Sequence, residues 1–185
     1  MTRLPVLLAA ALGLGTAALA AAPTDLDRFA GTYVGVAEET DPADRSRSRR
    51  DIDLVISAEG HGGLQIAWSN VTLVNGRRDV PGVERRVDEV RLVPAPDRDF
   101  YLARQAYDPF TERRPPNALG GDPLRWATVA GDSLRVYSVV ILDDGRYELQ
   151  TYDRTLTPDG LRLDWQRTVD GEVVRRATGH AVRAE

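Results

Sequence analysis

The sequence predicts an all-β fold, an antiparallel up-and-down meander barrel of about eight to ten strands. Many short segments alternate apolar and polar residues, which is typical of strands with one buried face. Turn dipeptides such as Asn75-Gly76 separate these segments, and no long helical pattern stands out after position 22. Because closure of the sheet removes exposed strand edges, a barrel is favoured, and a two-sheet β-sandwich is the alternative.

The first 22 residues have the features of a secretory signal peptide. Arg3 gives a positive start, Leu4–Leu19 form an apolar run, and Ala18–Ala20 and Ala20–Ala22 are two small-x-small cleavage sites. The apolar run is shorter than the ~20 residues of a spanning helix. The chain has no cysteine that could carry a lipid anchor. We therefore predict a soluble periplasmic or secreted protein with no stable membrane insertion after cleavage.

Cleavage after Ala22 leaves residues 23–185, which we expect to form one domain. The formal net charge is −4, and loss of Arg3 with the leader makes it more negative, so nucleic acid is not an expected partner. All 24 basic residues are arginine and there is no cysteine. This composition excludes lysine Schiff-base chemistry, thiol catalysis, thiolate metal sites and disulfides. No cofactor is predicted, and the oligomeric state stays open.

In the first half of the domain, four segments alternate or run apolar between turns. The change of alternation at Ser69-Asn70 within the third of them indicates a β-bulge or a tolerated irregularity. The predicted strands are Gly31–Glu38, Arg50–Ser57, Leu64–Leu73 and Phe100–Ala106.

Residues 83–93 are ambiguous, because Val83, Val87 and Val90 also fit a helical spacing. Their valine-rich composition between hairpins favours a strand.

A long irregular stretch, Asp108–Pro123, follows and is rich in proline. Loops of this length in a compact domain are often functional, so we expect it to form the lid or rim of a pocket. Beyond it, regular strands joined by short Gly-containing or Asp-containing turns are predicted at Trp126–Ala130, Leu134–Leu142, Arg146–Leu156, Leu161–Val169 and Glu172–Arg183.

Two motifs have a catalytic or metal-binding interpretation, and neither is favoured. Gly131–Leu134 spells the GDSL string of an esterase family, but Ala177 stands where that family has the aspartate of its Asp-x-x-His, three residues before His180. The string is better explained as a hairpin turn. His61 and His180 are the only histidines, and their spacing supports no zinc site. His180 alone would suffice as a haem ligand, but a surface histidine is favoured. No catalytic and no metal-binding residue is predicted.

Aromatic residues in the strands are the best candidates for a binding pocket. Trp165 shares its predicted face with Leu163 and Arg167. An arginine on an apolar face needs a partner, so Arg167 either reaches solvent at the barrel end or holds the anionic head of a ligand. The predicted ligand-binding residues are Trp68, Trp126, Tyr137, Leu163, Trp165 and Arg167.

Phe29–Tyr33, at the start of the predicted barrel, resembles the Gly-x-Trp opening of the lipocalins and the wider calycin group, with Tyr33 in place of tryptophan. The resemblance implies a small barrel whose mouth binds apolar molecules, with Gly31 and Tyr33 as a packing device that closes the barrel. It also implies that a late-strand arginine packs over the opening aromatic ring. Arg175, Arg176 and Arg183 are the candidates.

Three functions remain open at this point. We expect the protein to bind a small hydrophobic molecule inside the barrel. The alternative is a structural or interaction protein of the cell envelope whose barrel is filled by side chains, and an enzyme that uses tyrosine, arginine and carboxylates comes third. The volume of the cavity inside the barrel distinguishes the first hypothesis from the second.

Overall fold

A computed structural model describes residues 26–96, 99–104 and 117–184. Ten antiparallel strands form a closed barrel in which every strand pairs with its neighbours in the sequence and the first strand pairs with the last. The prediction of an all-β up-and-down barrel is therefore confirmed, and the two-sheet sandwich is not found. The predicted leader, residues 1–22, lies outside the described residues.

The strands cover most of the described chain. Within the described ranges, three short 3-10 turns also occur, at Asp27–Phe29, Gly60–Gly62 and Ala118–Gly120. The strands are β1 Gly31–Thr40, β2 Arg47–Glu59, β3 Gly63–Thr72, β4 Arg85–Pro94, β5 Tyr101–Ala103, β6 Leu124–Ala130, β7 Ser133–Ile141, β8 Tyr147–Thr157, β9 Gly160–Val169 and β10 Glu172–Arg183.

The ambiguous segment 83–93 is the strand β4 over most of its length. Of the two explanations for the change of alternation at Ser69-Asn70, the bulge is ruled out, because β3 keeps a continuous register with β2 and β4 through these positions. The alternation changes there because Asn70 faces the barrel interior, where its side-chain oxygen accepts a hydrogen bond from Arg50 Nη1 at 3.1 Å. The register shift lies instead in β10, between Val173 and Arg175.

The hydrophobic core fills one end of the barrel. This end holds the start of β1 and the end of β10. Leu26, directly before the first 3-10 turn, and Phe29, within it, pack into this end. The other buried members of the core are inward-facing strand residues: Tyr33, Leu54, Ile56, Leu64, Ile66, Val90, Leu92, Ala127, Leu134, Val136, Leu161 and Ala181.

The barrel closes where Arg183 of β10 covers Tyr33 of β1. The Arg183 guanidinium carbon lies 5.0 Å from the centroid of the Tyr33 ring, and its Nη2 donates to the phenol oxygen at 2.8 Å. Nη1 donates to the carbonyl of Ala30 at 2.6 Å. Gly31 leaves the room for this contact, since a Cβ there would lie 2.7 Å from Arg183 Nη1. Of the three arginines that the lipocalin resemblance offered, Arg183 makes this contact.

Candidate ligand-binding cavity

The other end of the barrel contains a cavity of about 370 Å³. This volume lies within the ~300–1,000 Å³ of typical small-molecule sites. Inward-facing residues of the strands line it because alternate side chains of a strand point to opposite faces. Its lining includes Ala37, Leu54, Trp68, Val140 and Leu163. The interior thus holds the hydrophobic core at one end and the cavity at the other.

Three aromatic side chains form one wall of the cavity. The ring centroids of Trp68 and Tyr152 are 5.5 Å apart, and those of Tyr152 and Trp165 are 6.4 Å apart. Gln150 holds the polar edges of two of them, because its Oε1 accepts hydrogen bonds from Tyr152 Oη at 2.5 Å and from Trp165 Nε1 at 3.2 Å. Because the Tyr152 hydroxyl and the Trp165 N–H are already hydrogen-bonded to Gln150, the aromatic wall presents mainly apolar surface to the cavity.

Arg154 of β8 lies in the same wall and is 4% exposed. Its guanidinium carbon is 5.5 Å from the ring centroid of Trp68 and 5.6 Å from that of Tyr152. Its one hydrogen bond within the described chain is a long one, 3.5 Å from Nη1 to the carbonyl of Tyr152. Burial lowers the pKa of Arg154 to about 10, so the side chain is still a cation at neutral pH.

The arginines nearer the cavity mouth are paired with carboxylates. Arg50 forms a buried ion pair with Glu39, which also accepts a hydrogen bond from Arg175 Nη1 at 2.7 Å. Arg125 binds Asp88 through both terminal nitrogens, at 2.9 and 2.6 Å. These ion pairs neutralise the charges of the mouth, and in that respect they differ from Arg154.

Arg167 does not line the cavity. Its Nε and Nη2 donate to Glu148 Oε2, at 2.8 and 2.6 Å, and Glu148 is 6% exposed. The partner that this arginine requires is therefore a carboxylate on the neighbouring strand β8. Trp68, Leu163 and Trp165, the other predicted residues of the inner face, all line the cavity.

Trp126 and Tyr137 lie on the outer face of the barrel. Their neighbours in sequence, Arg125 and Ser138, line the cavity, so the alternation of β6 and β7 turns these two rings outward. The rings stack across the two strands with centroids 5.0 Å apart and an interplanar angle of 7°. They form a cross-strand pair on the barrel surface and take no part in the cavity.

The irregular stretch Asp108–Pro123 contributes Gly121 and Pro123 to the cavity lining. Its residues 108–116 lie outside the described part of the chain. The described part of this stretch therefore forms part of the rim.

The GDSL string and His180 lie apart from the cavity. In Gly131–Leu134, Ser133 Oγ is 2.7 Å from the hydroxyl oxygen of Thr155, and Asp132 pairs with Arg28 at 3.0 Å. His180 is exposed, with Nε2 3.2 Å from Asp159 Oδ1. Ser133 therefore has no histidine base within hydrogen-bond distance in the described structure.

His61 is exposed on the turn before β3. It lines an open surface groove together with Glu59, and within the described structure no hydrogen bond connects the two side chains. Across the described ranges, no cluster of three or more His, Asp or Glu side chains is placed to hold a metal. Within those same residues, no helix is long and apolar enough to cross a membrane.

No protein-family model matches this chain, and no curated protein matches it. Among solved structures, a similar chain is the S-type phycobiliprotein lyase CPES from Guillardia theta, with 9% sequence identity and a TM-score of 0.39. The match covers 86% of this chain and 90% of that chain. The function must therefore be inferred from this chain's own residues.

Proposed function

We propose that the protein binds a small molecule with a largely apolar body inside the barrel. The observation that carries the proposal is the cavity of about 370 Å³ and its wall of Trp68, Tyr152 and Trp165. A concave, mostly apolar space with a few convergent polar groups is the usual form of a small-molecule site. A purely structural role does not require such a space, since side chains can fill the interior of a small barrel.

Titration with the neutral fluorophore N-phenyl-1-naphthylamine tests this proposal. The expected result is saturable binding by the purified full-length domain, with enhanced fluorescence of the probe. Val140→Trp places an indole in the cavity and should weaken binding at least tenfold. Val139→Trp is the matched control, because the adjacent side chain points to the outer face.

Two results would overturn the proposal. One is the absence of saturable binding to the wild-type protein. The other is equal binding by the Val140→Trp and Val139→Trp variants, which would place the probe on the outer surface. Either result would favour the alternative of a structural or interaction protein.

We also propose that the protein is exported and that residues 1–22 are removed. The features that support export are Arg3, the apolar run after it and the small residues before Pro23. Cell fractionation followed by intact-mass measurement tests this, and the mass distinguishes cleavage after Ala20 from cleavage after Ala22. Recovery of the chain with residues 1–22 still attached, from the cytoplasm, would refute it.

A further inference from the structure

We infer that the ligand of this cavity is an amphipathic organic carboxylate whose acidic head pairs with Arg154. The inference rests on the proposed function and names the chemical class of the ligand. Arg154 lines the cavity, is almost fully buried and has no carboxylate within ion-pair distance among the described residues. It is therefore a buried cation that no carboxylate of the described chain neutralises.

The energetics of burial support an incoming anion. A buried charge costs several kcal/mol unless it is paired and hydrogen-bonded. The rings of Trp68 and Tyr152 approach the guanidinium and recover part of this cost through cation–π contacts. Arginine has five N–H donors in a planar fork that matches a carboxylate. Here a single long hydrogen bond, to the Tyr152 carbonyl, engages one of its nitrogens.

The position of Arg154 sets the orientation of the ligand. On β8 it pairs with Leu134 of β7, a fully buried core residue, and with Leu163 of β9, which lines the cavity. Arg154 thus lies at the floor of the cavity, where the core ends. An acidic head at this floor leaves the apolar body alongside the next cross-strand pair toward the mouth, Tyr152 and Trp165. The ligand is expected to bind head first.

The mouth is a poorer site for the same head. Arg50 and Arg125 already bind Glu39 and Asp88, so an anion there would compete with a carboxylate of the protein for each arginine. Only the floor, within the described residues that line the cavity, presents an arginine without such a competitor. A single cation also fits a monoanionic head better than a dianionic one.

Two probes of the same shape test the inference: 1-naphthylacetate and its neutral amide, 1-naphthylacetamide. Each is titrated by calorimetry against the wild-type domain at pH 7 and by displacement of N-phenyl-1-naphthylamine. We expect the wild-type protein to bind the carboxylate at least tenfold more tightly than the amide. Arg154→Met, which keeps an unbranched apolar side chain but removes the charge and the N–H donors, should bind both with equal affinity.

Arg162→Met is the matched control. It removes one positive charge from the neighbouring strand β9, but from an exposed outer position, and it should keep the preference for the carboxylate. If Arg154→Met does not fold, Arg154→Lys replaces it and should retain a weaker preference. The comparison of the two probes on wild-type protein does not depend on either variant.

Equal binding of the two probes by the wild-type protein would overturn the role of Arg154 and leave the proposed function intact. A preference that survives in Arg154→Met would do the same. Absence of saturable binding of N-phenyl-1-naphthylamine would overturn the proposed function, and the inference with it.

Discussion

Arg183 joins the last strand of the barrel to the first by lying over the ring of Tyr33 and hydrogen-bonding its hydroxyl group at 2.8 Å. The same hydroxyl donates to the carbonyl of Phe29 at 2.8 Å, so the contact also holds the 3-10 turn that begins the described chain. One side chain thereby links β10, β1 and that turn at the filled end of the barrel.

We expect Arg183→Ala to lower the free energy of unfolding by about 1–3 kcal/mol, because it removes a cation–π contact and several hydrogen bonds. Urea denaturation provides the measurement. Arg176→Ala, at an exposed position of the same strand, should change the free energy by less than about 0.5 kcal/mol. Equal effects of the two substitutions would show that the Arg183 contact does not close the barrel.

Gly35→Ala should destabilise the seam between β1 and β10. A Cβ on Gly35 would overlap the carbonyl oxygen of His180 and the backbone of Ala181, which cannot move without separating the strands. Overpacking of this kind costs about 1–3 kcal/mol. Gly60→Ala is the control, since its added methyl group meets no atom within 4 Å. A thermal unfolding midpoint that is unchanged in Gly35→Ala would contradict the described seam.

Arg154→Met should leave the protein as stable as the wild type or make it more stable. Replacement of a buried ion by an apolar side chain of similar volume is often neutral or stabilising, because the desolvation penalty disappears. The free energy of unfolding without ligand is the quantity to measure. A loss of more than about 2 kcal/mol would mean that Arg154 is there to hold the barrel together.

The two buried tyrosines Tyr33 and Tyr152 should make the folded protein less stable at alkaline pH. Burial raises the pKa of Tyr33 and of Tyr152 above the ordinary value of 10.0. The unfolded chain ionises these phenols first, so the stability they contribute is present below pH 10 and is lost as the pH rises through their folded pKa values. Absorbance of phenolate near 295 nm should show a late-titrating fraction that decreases in Tyr33→Phe and in Tyr152→Phe. A titration that neither substitution changes would refute this assignment.

The fold was predictable from the sequence because hairpin turns and alternation act locally and agree with one another. The same alternation placed Leu163 and Trp165 on one face of β9, and that face lines the cavity. It also identified Arg167 as a residue in need of a partner. The partner, Glu148, lies on another strand, and the register that brings the two together is not readable from one segment.

The cavity residues that were not predicted from the sequence lie on a strand whose inner and outer faces each carry both polar and apolar residues. Glu148, Gln150, Tyr152 and Arg154 share the inner face of β8, while Leu149 points outward. A polar inner face along a cavity reverses the rule by which the apolar face of a strand is taken as the buried one. Trp126 shows the opposite situation, a large aromatic ring on the outer face of the barrel. The residues around it in β6 have the same sequence pattern as those around a ring that faces the interior.

The pairing of β1 with β10 has a consequence for how the chain folds. The two strands are separated by almost the whole domain, and long-range pairing of this kind slows folding. Until β10 is in place, β1 and β9 each present an unpaired edge that can recruit a strand from another molecule. Truncation before Arg176 would remove most of β10 and make both edges permanent. A chain shortened in this way should aggregate rather than persist as a nine-stranded monomer.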